Sequence, residues 1–233
     1  MNTYLNHLLF GIYPYIALAT MVVGTIIRFE REPYSWRASS SQLLRRKQLV
    51  LGSILFHTGV LFVLFGHIVG LLVPIWVFDS LAVKHEWKQA LAVYGGGTAG
   101  LVSFIGASML LHRRLFDSRI RANSAFADTG ILALLWAQLA LGLATVPISL
   151  GHMDGVQMVK FMAWANGIFT FNPTASMWID GAHWIFRTHI FLGLTIFLVF
   201  PFTRLPHMLS VPVRYIWRGG YQIVRSRRSL ING

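Results

Sequence analysis

The 233-residue sequence contains no cysteine. That excludes disulfides, thiolate zinc sites, iron–sulfur clusters and covalently attached c-type haem, each of which needs sulfur. Any metal must be held by histidine, methionine or carboxylate. Charge is scarce as well: 12% of residues are charged, against about 25% in soluble domains. Acidic side chains are especially few, with 8 Asp and Glu against 20 Lys and Arg and a net charge of +12. On a soluble chain that balance would raise the question of nucleic acid. Here no nucleic-acid-binding motif accompanies it, and the basic residues sit between apolar blocks. Nucleic acid is set aside. The N-terminus has no basic n-region and no small-residue cleavage site, and its first Lys or Arg, Arg28, follows the first apolar block. It reads as a retained span rather than a signal peptide.

What the chain does have is apolar length. Hydrophobic residues make up 55% of it and the mean hydropathy is +0.58. They gather into five blocks, roughly 5–27, 48–73, 89–111, 129–150 and 182–205. Each can cross about 30 Å of hydrocarbon. Pro14, Pro147 and Pro201 fall inside blocks, which a membrane helix tolerates where neighbours satisfy the freed carbonyl. The expected fold is an all-α integral membrane bundle of five transmembrane helices. One domain covers residues 1–233, with a basic tail over about 208–233.

Loop charge orients the bundle. Arg28, Arg31, Arg37, Arg45, Arg46 and Lys47 follow the first block, and Arg113, Arg114, Arg119 and Arg121 follow the third. Arg204, Arg214, Arg218, Arg225, Arg227 and Arg228 follow the fifth, leaving only Lys84, Lys88, Lys160 and Arg187 elsewhere. The positive-inside rule then puts the N-terminus outside and the C-terminal tail in the cytoplasm.

Histidine carries the chemistry. His7, His85, His112, His152 and His183 lie near block ends or in loops, where water can satisfy them. His57, His67 and His189 lie within blocks and His207 at the inner end of the last. Ionisable groups at that depth are functional candidates, although a histidine can simply bond a neighbouring helix. His57 and His67 are ten residues apart, about 15 Å along a helix. His189 and His207 are eighteen apart, about 27 Å and five full turns if the helix is ideal. Because the two helices run in opposite directions, they offer an outer pair, His67 with His189, and an inner pair, His57 with His207. Two stacked bis-histidine sites point to two non-covalent b-type haems. The unequal spacings require tilt, a bend at Pro201 or a helix end before Pro206. A clustered zinc site fits worse, and a proton or metal path along spaced histidines is the alternative.

Gly59, Gly66 and Gly70 surround the first two histidines, and Gly193 lies one turn beyond His189. Each can admit a flat macrocycle or another helix. Residues 95–100, GGGTAG, formally satisfy G-x-G-x-x-G. Without a preceding strand they read as a small-residue packing face formed by Gly96 and Gly100. Trp36, Trp76, Trp87, Trp178 and Trp184 near block ends form an interfacial belt.

Longer motifs add a resemblance. They are IYPYI (12–16), YSWRASSSQLL (34–44), LFHTG (55–59), GHIVG (66–70) and HRRLF (112–116), followed by GHMDG (151–155), IFRTHIFLG (185–193), FPFTRLPH (200–207) and SVPVRY (210–215). Over nearly its whole length the chain resembles the gamma, cytochrome b, subunit of membrane-bound respiratory nitrate reductases. The resemblance implies five membrane helices and two b haems. His67 and His189 would be axial ligands of a distal haem, and His57 and His207 of a proximal one. It implies electron transfer from a membrane quinol, through both haems, to an iron–sulfur beta subunit and a molybdenum alpha subunit on the cytoplasmic side. Nitrate would be reduced on that partner, in a bacterial inner membrane. Lys88 and Gly66, beside His67, match the family's quinol-site residues. Arg113 and Arg187 are candidate propionate partners. A cytochrome b anchor of another quinol-linked reductase is the runner-up.

Overall fold

A computed structural model describes residues 3–32 and 46–210. The YSWRASSSQLL segment and the tail from residue 211 onward, with Arg37, Arg45 and Arg214, lie outside the described residues. All regular elements among the described residues are helical. Besides short 3-10 turns, they are α1 (Thr3–Arg31), α2 (Arg46–Leu72), α3 (Ile75–Ser80), α4 (His85–Phe116), α5 (Ser118–Ala122), α6 (Phe126–Leu150), α7 (Val156–Phe169) and α8 (Trp184–Val199). Five of them, α1, α2, α4, α6 and α8 with its continuation to Phe202, are long and apolar enough to cross a membrane. Their outward faces carry exposed side chains such as Ile26, Leu61, Phe62, Phe65 and Ile105. Such faces suit lipid, and the chain is a multi-pass membrane protein.

Helix α2 lies along α4, α4 along α6, α6 along α8, and α8 along α1. The tightest seam joins α2 to α4, and it depends on missing side chains. A Cβ on Gly59 would stand 2.5 Å from the Ala99 carbonyl oxygen, and one on Gly106 would stand 2.3 Å from the Phe56 nitrogen. Ser103, buried in the same seam, donates to the Phe56 carbonyl at 3.3 Å. Small residues let two backbones approach, which supplies van der Waals contact where lipid removes the hydrophobic drive between helices. The GGGTAG face differs from expectation by one residue. Gly97 and Gly100 meet Val146 and Leu143 of α6, whereas Gly96 meets nothing within 4 Å.

Two features differ from the sequence expectation, and both shape the site. The first is α7, in a stretch left as a connection. Fourteen residues are too few to span a bilayer, but they suffice for an amphipathic cap helix. Trp164, Ala165 and Ile168 are buried against Phe10, Ala175 and Ile179, and Met162 is buried as well. The cap packs against two π turns, Leu8–Ile12 and Ile68–Leu72, at the bundle end opposite the arginine-rich one, and a third π turn, Leu91–Gly95, interrupts α4. A π turn disturbs the helical hydrogen-bond ladder and leaves carbonyls wanting donors. Cap side chains supply two: Trp164 Nε1 donates to the Phe10 carbonyl at 2.8 Å, and Asn166 Nδ2 to the Leu71 carbonyl at 3.0 Å.

The second is the end of α8. The last apolar block is not one helix through to residue 205. The α-helix stops at Val199 and continues as tight turns over Phe200–Phe202 and Leu205–Ser210. Pro201 has no N–H to continue the ladder, and Arg28 of α1 takes carbonyls that the end of the helix leaves without a ladder partner. Its Nη1 donates to Pro201 O at 2.7 Å and to Thr203 O. Gly24 makes room, since a Cβ there would stand 2.8 Å from Pro201 Cγ. His207 therefore lies on a turn, off the ideal line of α8.

Candidate functional site

The four deep histidines come together as two pairs. The rings of His67 and His189 have centroids 6.1 Å apart at an angle of 46°, and those of His57 and His207 6.5 Å apart at 75°. Helices α2 and α8 are not among the closely packed helix pairs. What α8 and the turn beyond it bring toward α2 is imidazole. The break at Pro201 reconciles the eighteen-residue spacing on α8 with the ten-residue spacing on α2.

Local hydrogen bonds fix three of the rings. His57 Nδ1 bonds the Ser53 carbonyl at 2.8 Å, with Ser53 Oγ at 3.2 Å, and His67 Nδ1 bonds the Val63 carbonyl at 2.8 Å. His207 Nδ1 bonds the Arg204 carbonyl. Donation from Nδ1 to a carbonyl sets the tautomer and leaves Nε2 as a lone-pair donor, as in metal-ligating histidines. His189 lacks this bond: its Nδ1 is buried without a partner, while its Nε2 lies 3.5 Å from Gln138 Nε2 of α6.

A haem iron between two imidazoles fits this geometry. Two metal–nitrogen bonds of about 2 Å plus the two ring radii put the centroids about 6 Å apart, and both pairs match. The donors are neutral nitrogens without carboxylate. Among the described residues no three His, Asp or Glu side chains cluster, so the donor pattern is paired rather than tetrahedral. His57 and His67 are exposed within the protein. An imidazole at hydrocarbon depth is costly against lipid, so a bound group covering these rings removes the difficulty. A Cβ on Gly66 or Gly70 would meet nothing within 4 Å, whereas Gly59 serves the α2–α4 seam and Gly193 abuts Gln138.

The other candidates lie around these pairs. Lys88 Nζ sits 3.5 Å from the centre of the Phe78 ring and 3.0 Å from Met162 Sδ of the cap, which fixes it at the His67 end. Arg187 pairs with Asp180 at 3.4 Å. Arg113 is buried at 3% exposure near the other end of α4. Beside it Asp128 faces Arg114 at 3.9 Å and Arg204 at 3.8 Å, tying α4 and α6 to the turn that carries His207. Sequence reasoning passed over Arg28, Asp128, Gln138 and the cap residues Trp164 and Asn166. Of these only Gln138, a polar side chain in the middle of a span, had a signal visible in the sequence.

The fold and site define a helical membrane protein with two facing histidine pairs stacked between non-adjacent helices. The nitrate reductase gamma subunit family matches residues 6–227, and the chain belongs to that family. It is 48% identical over 224 residues to the respiratory nitrate reductase 1 gamma chain of Escherichia coli (strain K12), covering 96% of this chain and 99% of that one. The respiratory nitrate reductase 2 gamma chain of the same organism is 44% identical, with 98% and 100% covered. The nitrate reductase gamma chain of Bacillus subtilis (strain 168) is 36% identical, with 95% and 99% covered.

Proposed function

We propose that the chain is the quinol-oxidising, electron-transferring membrane subunit of a respiratory nitrate reductase. The observation that carries this reading is the facing of His67 on His189 and of His57 on His207 in a member of this family. His67 and His189 would hold a distal b haem, and His57 and His207 a proximal one. When bound, such a haem supplies reversible one-electron chemistry at potentials set by its axial ligands. The imidazoles bind neutral, and the Nδ1–carbonyl bonds of His57, His67 and His207 raise their basicity and fix their orientation.

The arginine-rich end faces the cytoplasm by the positive-inside rule, which puts the His67–His189 pair near the outer face. Quinol is oxidised beside that pair. Lys88, held by Phe78 and Met162, hydrogen-bonds a quinol oxygen and stabilises the negative charge that develops as the hydroxyl proton leaves. Gly66 leaves space for a flat ring to approach the backbone next to His67. Protons leave outward and electrons pass inward, so turnover builds a membrane potential. The chain has no cysteine for an iron–sulfur cluster. An iron–sulfur beta subunit therefore docks at the arginine-rich end and passes electrons to a molybdenum alpha subunit that reduces nitrate.

The test is a reduced-minus-oxidised visible spectrum of the purified complex with quinol as the reductant. Two b-type components reduced by quinol and reoxidised by nitrate are expected. A colourless protein would overturn the reading.

A further inference from the structure

Oxidation of a quinol sheds two protons with its two electrons, and a base must take them. Lys88 is a cation, and the free lone pairs of His67 and His189 are turned to the iron. One turn before Lys88 on α4 stands another imidazole, His85. Both side chains lie between α3 and the cap. Lys88 touches Phe78 of α3 and Met162 of α7. His85 Nε2 lies 3.6 Å from Asp79 Oδ1 of α3. Its Cβ meets Gly155, the residue that opens the cap, so closely that a Cβ on Gly155 would stand 3.0 Å away. Asp79 follows Phe78 directly and also acts electrostatically on Lys88.

The two ring nitrogens of His85 differ. Nδ1 is buried without a partner, whereas Nε2 faces a carboxylate that is 53% exposed and so open to water. A carboxylate beside one ring nitrogen favours the tautomer with the proton on that side and leaves a lone pair on the other. His85 is thereby set to accept at its inner nitrogen and release at its outer one.

We propose that His85 is the proton acceptor in quinol oxidation, with Asp79 as its counter-charge and outlet. The quinol oxygen held by Lys88 gives its hydroxyl proton to His85 Nδ1. The O–H bond breaks and an N–H bond forms, while one electron leaves for the oxidised b haem of the His67–His189 pair. Asp79 stabilises the imidazolium, whose Nε2 proton then passes by way of the carboxylate to water. Exchange with water restores the starting tautomer, and the second proton and electron follow the same routes. One quinol becomes one quinone, with two protons outside and two electrons passed inward. This inference rests on the proposed quinol site at Lys88.

The experiment measures the rate of haem reduction by duroquinol, a tetramethyl quinol, in the assembled complex, with dithionite spectra to check haem loading. His85→Ala should keep both b components and be reduced by quinol about a hundredfold more slowly, the lower range for loss of a general base. Added imidazole should restore part of that rate, because the ring it replaces is 42% exposed, and should leave the parental rate unchanged. Asp79→Asn should be slowed without rescue. A parental rate in either variant, or a slow His85→Ala that imidazole leaves slow, overturns the proposal. If His85→Ala does not assemble, His85→Gln decides, since it keeps a polar side chain but no base, and a parental rate there overturns it. Lys88→Ala separates the two levels. Parental kinetics in Lys88→Ala defeat the quinol site itself, whereas a slow Lys88→Ala beside a parental His85→Ala defeats only the role of His85.

Discussion

Arg28 of α1 donates to the carbonyl of Pro201 at 2.7 Å, joining the first span to the last, which packs beside it. The bond falls where α8 ends, and it decides where His207 goes. Without a donor the carbonyls of Pro201 and Thr203 would be unsatisfied at membrane depth, and the turn through residues 200–207 would loosen. Arg28→Leu should therefore deplete the component held by His57 and His207 while sparing the other, read as haem content in difference spectra. Arg28→Gln, which keeps a donor, should lose less. Equal loss of both components would sink this account.

Glycines of α4 and α2 should separate by what lies opposite them. Gly106→Val forces a side chain into the Phe56 backbone, one residue from His57, where a Cβ has 2.3 Å. Overpacking of this kind costs about 1–3 kcal/mol or more. Thermal inactivation in detergent should come at lower temperature. Gly66→Ala meets nothing within 4 Å and should leave the inactivation temperature unchanged. Its effect should appear instead in the quinol KM.

The histidine pairing makes a sharper demand. His67→Ala and His189→Ala should remove the same spectral component, and His57→Ala and His207→Ala the other. Loss of one component by both His57→Ala and His67→Ala would contradict the facing of rings at 6.1 and 6.5 Å.

Much of this arrangement is legible in the sequence, for a physical reason. Hydrocarbon demands about twenty apolar residues per span, so five blocks announce five helices. The same hydrocarbon makes His57, His67, His189 and His207 conspicuous, and opposite chain directions suggest the pairing. What escapes is whatever depends on a partner across the bundle. Pro201 can kink a helix or end one, and the outcome depends on Arg28 from α1 and the bare Cα of Gly24. Gly96 and Gly97 look alike in sequence, yet only Gly97 meets Val146. The cap α7 escapes because its fourteen residues fall below a span length and mix Gln157 and Lys160 with Trp164 and Ile168.

Lys88 lies between the cap and α3, over the Phe78 ring at 3.5 Å. A cation placed this way loses about a charge-assisted hydrogen bond when truncated, or roughly tenfold in rate. Lys88→Ala should slow reduction of the haems by quinol about tenfold, with the dithionite-reduced spectrum unchanged. Met162→Leu, which removes the sulfur 3.0 Å from Nζ but keeps the volume, should give a smaller effect in the same assay. A Lys88→Ala variant with parental quinol kinetics would return this lysine to the role of a headgroup anchor.

Asn166 ties the cap to the π turn that follows His67 directly, through its bond to the Leu71 carbonyl at 3.0 Å. The same Nδ2 bonds the Met162 carbonyl at 2.9 Å, so one amide couples the residue beside Lys88 to the turn beyond His67. Asn166→Leu keeps the volume and removes the donor, leaving a carbonyl in the Ile68–Leu72 turn unsatisfied. The loss is about 1 kcal/mol of local stability. It should appear as faster amide hydrogen exchange confined to residues near 68–72 and the cap, with the seam between α2 and α4 protected as before. Because Arg28 and Pro201 lie at the other end, the His57–His207 component should keep its spectrum. A cap that only covers the bundle would let Asn166→Leu change exchange in α7 alone. A cap that braces the π turn requires the change at 68–72 as well.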